Sequence, residues 1–395
     1  MLKRTISTAT ATILLWSTLA GVLPATSYSA DSSTEALVPY YNASLPVETR
    51  VADLLGRMSI DEKIGQMVQA ERASVTPKDV KDYYLGSVLS GGGSFPNGKQ
   101  SDSTRENWQD LVDSYQSGAL STTLGIPLLY GVDAIHGQNN LIGATLFPHN
   151  IGLGATRNPE LVKKIGEATA QEVKASGTNW VFGPTIADPQ NINWGRTYEG
   201  FGDNQSLVAQ MASAYIKGLQ GDTIGELQNS DRVIATAKHF LGEGLTDNGV
   251  NQGNVSGMTE QEVLDLDLPM YKKAVEAGAR TVMASYSSIQ GLKMHANKRL
   301  LTDVLKGTGE GQLGFTGFVI TDYNAVQQIT KDWDGNAVKK IQNTENYDLQ
   351  DQIRVAVNAG VDMLMMPADW KNTITNLKDL VQHGAIKQSR IDDAV

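Results

Sequence analysis

Short apolar runs alternate with longer amphipathic stretches along most of the chain. The strand-like runs are Ile64–Ala70, Leu85–Ser90, Pro127–Val132, Asn179–Gly183, Val233–His239, Thr281–Tyr286, Gly317–Thr321 and Val361–Met366. Most are apolar without clean alternation, as expected of parallel strands buried on both faces. Between them lie helical stretches such as Pro159–Ser176, Ser206–Gln220, Glu260–Ala277 and Leu349–Ala359. Asn158 before Pro159 is a cap followed by a first-turn proline. Gly177, Gly278 and Gly360 each follow a helix and precede a strand, as C-terminal caps do. Eight such units predict an α/β fold, a (β/α)₈ TIM-like barrel. A doubly wound sheet is the competitor. The barrel is preferred because Asp133, Lys238-His239, Tyr286 and Asp322 recur at or just past strand ends, which converge on one mouth in a barrel. The first turn also lacks a glycine-rich phosphate loop.

Residues 1–30 follow a different pattern. Lys3 and Arg4 precede an apolar stretch from Ala11 to Pro24, and Ala25, Ser27 and Ser29 supply small residues for a cut after Ser27 or Ser29. This is the layout of a secretory signal peptide, and its apolar core is too short for a stable membrane anchor. The expected organisation is a signal peptide over 1–30, an extension over 31–50, a barrel over 51–385 and a linker helix beginning over 386–395. The protein is expected to be exported, periplasmic or extracellular.

The 395 residues carry 33 Lys plus Arg against 43 Asp plus Glu, a formal charge of −10, with 41% hydrophobic residues. This is globular composition. The acidic balance argues against a nucleic-acid partner, whose phosphates need clustered cations. The absence of cysteine excludes disulfides, thiolate catalysis and cysteine-ligated metal. The five histidines have no i, i+4 zincin pair, there is no G-x-S-x-G elbow, and Gly91-Gly92-Gly93 lacks a Lys-Ser or Lys-Thr partner. No metal or cofactor is expected.

What remains is a mouth rich in carboxylates, amides and aromatics, which suits hydroxyl-rich ligands. From the residues alone each cluster is ambiguous. Asp322, closing Gly317–Thr321, reads equally as nucleophile, metal ligand or helix cap. Lys238-His239 reads as a sugar or phosphate contact, or as a locally satisfied pair.

Taken together these segments resemble the N-terminal barrel of glycoside hydrolase family 3. The carriers are Gly317-Phe318-Val319-Ile320-Thr321-Asp322-Tyr323, Gly131-Val132-Asp133-Ala134-Ile135-His136-Gly137, Gly154-Ala155-Thr156-Arg157-Asn158-Pro159, Trp194-Gly195-Arg196-Thr197-Tyr198-Glu199, Ala237-Lys238-His239-Phe240 and Met283-Ala284-Ser285-Tyr286. The branch most similar is that of β-glucosidases and exo-β-glucan glucohydrolases. The resemblance implies hydrolysis of β-glucosides or short β-glucan oligosaccharides from their non-reducing ends. It implies Asp322 as nucleophile, with Asp133, Arg157, Lys238 and His239 on sugar hydroxyls. Tyr286 would sit beside the nucleophile and Tyr323 on the wall of the next subsite, where the branch often has Trp. Arg196 and Glu199 are expected behind the contact layer. Oligomeric state is not implied.

A retaining glycosidase needs a second carboxyl group to protonate the leaving oxygen. Two-domain members supply it from a sandwich-like domain, expected to be absent from this chain. Glu243 is the nearest local carboxylate, and the reading without a chemical role is preferred for it. The single-domain β-N-acetylglucosaminidase branch uses an Asp–His dyad on the loop that here reads 242–249 and holds no His. A β-xylosidase, a β-N-acetylhexosaminidase and a carbohydrate-binding barrel without catalysis are the alternatives.

Overall fold

The computed structural model describes residues 38–395; the predicted signal peptide lies outside the described residues. Residues 54–395 form one compact unit, and residues 38–53 belong to a separate one. In the smaller unit the Asp53 carboxylate accepts the Tyr40 N–H at 3.2 Å.

The large unit holds a sheet of eight strands, β1 Val68–Glu71, β2 Ser87–Ser90, β3 Leu129–Val132, β4 Trp180–Val181, β5 Ile234–Phe240, β6 Thr281–Ala284, β7 Phe318–Ile320 and β8 Leu364–Met365. From β1 to β7 each strand pairs in parallel with the next, and β1 also pairs with β8. A parallel bridge between Ile320 and Met363 joins β7 to β8 and closes the ring. One main helix follows each strand: α1 Pro77–Asp82, α2 Arg105–Leu120, α3 Pro159–Ala175, α4 Gln205–Gln220, α5 Glu260–Glu276, the π-helix α6 Arg299–Lys306, α7 Leu349–Ala359 and α8 Trp370–Gln382. The large unit is a (β/α)₈ barrel.

Local chemistry accounts for the element ends. The Asn158 side chain accepts the Leu161 N–H at 3.1 Å and opens α3, a cap worth about 1 kcal/mol. Gly360 closes α7 at φ 116°, and a Cβ there would meet Thr302 Oγ1 at 2.6 Å. The first strand corrects the prediction for Ile64–Ala70. Ser59 and Glu62 form a reciprocal capping box that winds Ile60–Gln66 into a helix, so β1 begins only at Val68. Gln388–Ala394 is helical, with Arg390 Nη2 donating to Asp362 at 2.6 Å.

The side chains divide by strand parity. Leu89, Trp180, Phe182, Met283, Ile320, Met363 and Met365 fill the barrel interior, and a larger apolar layer lies between strands and helices. The Trp180 indole donates to Thr236 and Thr281 hydroxyls at 2.8 and 3.1 Å, so even this polar atom is satisfied inside. Gly131 leaves room for the Phe182 ring; a Cβ there would lie 2.2 Å from it. The same parity carries the strand ends into the mouth. Asp133 follows inward Gly131, Lys238 follows Thr236 and Asp322 follows Ile320, each by two residues.

Candidate active site

Strand β5 departs from simple alternation at the decisive point. Lys238 pairs with Met283 and Phe240 with Ala284, so His239 is an extra residue in a β-bulge. The bulge lets two consecutive side chains, Lys238 and His239, serve the same mouth. Both are buried.

Lys238 Nζ donates to Asp133 Oδ1 at 3.2 Å, bridging the ends of β5 and β3. Asp133 keeps 35% of its side chain exposed, so the pair is open on the Asp133 side. His239 Nε2 lies 3.5 Å from Asp322 Oδ2 and 3.5 Å from Arg196 Nη2. On the far side of the ring, Nδ1 of His239 and Oε2 of Glu243 are 2.5 Å apart and share a hydrogen bond.

Asp322 is 9% exposed. Its Oδ1 accepts the Tyr323 N–H at 2.7 Å, and its own N–H donates to His295 Nε2 at 3.2 Å. Its Oδ2 is buried without a hydrogen-bond partner among the described residues. Burial pushes His295 down to about 3, so the ring is neutral and Nε2 is free to accept. The Tyr286 hydroxyl donates to the Tyr323 carbonyl at 2.5 Å. Its phenol is pushed well above its ordinary range by burial and then by the Asp322 carboxylate. Tyr323 itself is 45% exposed at the rim.

Arg196 anchors one wall. Its Nε and Nη2 donate to the two Glu199 oxygens at 2.7 Å each, a bidentate pair, and Nη1 donates to Glu243 Oε1 at 3.3 Å. Burial opposes ionisation of Glu199, but the hydrogen bonds and charge of Arg196 hold its carboxyl below the ordinary value. Burial pushes Glu243 up to about 7, against the pull of Arg196.

The structure thus gathers Asp322, Asp133, Lys238, His239, Tyr286, Arg196 and Glu199, with Tyr323 at the rim. Arg157 follows the helix Asn150–Ala155, is exposed, has φ 52°, and makes no hydrogen bond or ion pair to the cluster among the described residues. The guanidinium beside His239 is that of Arg196, expected only behind the contact layer. Sequence reading missed His295, whose position after β6 gave no motif. Glu243, read without a chemical role, is buried against His239, a contact for which their i, i+4 spacing was the available signal. No group of three or more metal-ligating side chains occurs among the described residues. No helix among them is long and apolar enough to cross a membrane.

Residues 59–395 match the model of the glycosyl hydrolase family 3 N terminal domain. The lysosomal beta glucosidase of Dictyostelium discoideum is 31% identical over 88% of this chain and 42% of its own length. The periplasmic beta-glucosidase of Salmonella typhimurium is 30% identical over 87% and 40%. The solved exo-1,3/1,4-beta-glucanase of a Pseudoalteromonas species superposes with a TM-score of 0.78 at 38% identity, covering 88% of this chain and 41% of that one. A Listeria innocua beta-glucosidase solved with glucose gives 0.72 at 27%, covering 87% and 45%. The chain spans about two fifths of the length of these curated relatives.

Proposed function

The chain belongs to glycosyl hydrolase family 3, and from that premise we propose that it acts as a retaining, exo-acting β-glucosidase on β-glucosides and short β-glucan oligosaccharides. The observation that carries the reading is the unpartnered Oδ2 of Asp322, surrounded by groups suited to sugar hydroxyls. Asp322 has one oxygen tied to a backbone N–H and the other, buried beside His239, committed to no hydrogen-bond donor among the described residues, which suits a carboxylate nucleophile. Asp133 and Lys238 offer an acceptor and a donor to neighbouring hydroxyls, and Arg196 and His239 offer a second set.

The leaving oxygen also needs a proton. Neither Glu199 nor Glu243 suits that role. Both engage Arg196, and the His239 ring stands between Glu243 and Asp322. Substrates whose leaving groups need no protonation are therefore the preferred probes, since loss of general acid catalysis costs ~10²–10⁴-fold on the others. Export is part of the proposal. It rests on the Lys3-Arg4 start, the apolar 11–24 stretch and the small residues after it.

The test is a 2-fluoro-glucoside with a dinitrophenyl leaving group, followed by intact mass and peptide mapping. A glucosyl label on the Asp322 peptide supports the reading. An unlabelled, folded protein that still binds glucose overturns it in favour of a carbohydrate-binding barrel.

A further inference from the structure

We propose that Glu243 is a positioning residue that sets the tautomer of His239, and thereby decides whether Nε2 presents a hydrogen or a lone pair to Asp322 and Arg196. The assignment deepens the glycosidase reading and rests on it for its functional consequence, though not for its geometry.

The geometry is a three-point relay. Glu243 Oε2 is 2.5 Å from His239 Nδ1, and on the opposite side of the ring Nε2 is 3.5 Å from both Asp322 Oδ2 and Arg196 Nη2. Glu243 and His239 are buried, so the proton between them is shielded from bulk water. His239 is four residues before Glu243, with Gly242 between them at φ 82°. The Gly242 N–H donates to buried Asp267 of α5 at 2.7 Å, which fixes the loop that carries Glu243. The other oxygen of Glu243 is held as well, accepting from Arg196 at 3.3 Å.

The proton count follows from this arrangement. Burial and then the Arg196 charge hold His239 well below its ordinary value, so the ring is neutral and has one N–H. When Glu243 is ionised it accepts from Nδ1–H, and Nε2 carries the lone pair that the Arg196 guanidinium faces. When Oε2 takes up one proton it donates to Nδ1 instead, and the ring's single hydrogen moves to Nε2. The pair gains one proton in total. In that state Nε2–H faces Asp322 Oδ2, the oxygen that otherwise has no partner among the described residues. The charged and titratable groups that bear on the relay are Arg196 and Glu199 from the loop after β4, Lys238 from β5, Asp322 from the end of β7, Asp267 and Tyr271 from α5 and His295 from the segment after β6. The Glu243 carboxyl, pushed up to about 7, brings the exchange into the neutral range.

The experiment is long-range ¹H–¹⁵N NMR on protein labelled with ¹⁵N-histidine, where each tautomer has a distinct pattern. His239→Gln identifies the resonances among the five histidines. The expected result is an Nδ1–H ring above about pH 8 that converts to Nε2–H as pH falls through about 7, with Glu243→Gln removing the transition and Glu243→Asp retaining one. A single tautomer across the neutral range overturns the proposal, as does a transition that persists in Glu243→Gln. Should Glu243→Gln fail to fold, the wild-type titration decides alone. The measurement needs no turnover, so an inactive protein sinks the glycosidase reading without touching this one. In an active protein, kcat/KM for a nitrophenyl β-glucoside gains an inflection near pH 7 that Glu243→Gln lacks.

Discussion

Nε2 of His239 and Oδ2 of Asp322 face each other at 3.5 Å, and Oδ2 has no hydrogen-bond partner among the described residues. A buried carboxylate oxygen left bare loses the hydration it has in water, a cost that a native fold tolerates where chemistry uses the atom. The first prediction concerns that atom. Asp322→Asn keeps the shape and replaces the nucleophile with an amide. Turnover of a nitrophenyl β-glucoside should fall by ~10³-fold or more, with the melting temperature within a few degrees of the parent. Residual activity near the parent level in a clean preparation would remove the nucleophile assignment.

Asp133→Ala removes the partner of buried Lys238. A hydrogen bond to a charged group contributes about 1.5–3 kcal/mol, so glucose affinity should weaken by about 10- to 100-fold. Isothermal calorimetry reads this directly, and equal affinity in the variant argues against a sugar contact at Asp133. Lower thermal stability should accompany the loss, because the Lys238 ammonium would be left buried and unpaired.

The two arginines make opposite predictions. Arg196→Ala strips a bidentate partner from Glu199 and a third contact from Glu243, which should cost about 3–5 kcal/mol of stability and abolish glucose binding. Arg157→Ala should leave stability and binding within about 0.5 kcal/mol of the parent, as exposed substitutions do. Denaturant melts and a glucose titration on both variants test the contrast; a binding defect confined to Arg157→Ala reverses the assignment.

Asp267 gives the pH prediction. Burial pushes its carboxyl up to about 8, the Gly242 N–H working against the rise, and its Oδ1 has no partner among the described residues. The protonated form therefore favours the folded state. Its stabilising contribution is full below the unfolded carboxylate range near about 4 and is lost as pH rises through about 8. Asp267→Asn keeps an acceptor for Gly242 and never ionises. Its stability relative to the parent should rise by several kcal/mol between about pH 4 and pH 9, measured by urea unfolding at each pH. Parallel pH profiles for the two proteins would mean that Asp267 stays ionised in the fold.

Much of the architecture was legible because buried parallel strands write continuous apolar runs, and because polar residues recur where those runs stop. Asp322, Lys238 and Asp133 were found that way. Boundaries were harder. The capping box at Ser59 and Glu62 outweighed an apolar run that read as strand. The site's wall was legible only in part, because a motif shows residue types and not which way a loop turns. Arg157 and Arg196 both lie in basic–polar motifs, and only the contacts of Arg196 with Glu199 and Glu243 separate them. His295 could not be inferred, since its contact to the Asp322 N–H spans 27 residues.

The extra residue at His239 has a consequence for how this pocket tolerates change. Below it, β5 stays in step with β6; above it, the register has already shifted by one. The strand acts as a clutch, with the ladder on one side and the loop 241–257 on the other. Lys238, on the ladder side of the slip point, keeps its pairing with Met283 and its aim at Asp133 whatever path the chain takes after His239. A deletion at His239 itself would restore plain alternation, keep Lys238 and Phe240 on their present faces opposite Met283 and Ala284, and take only the imidazole out of the mouth.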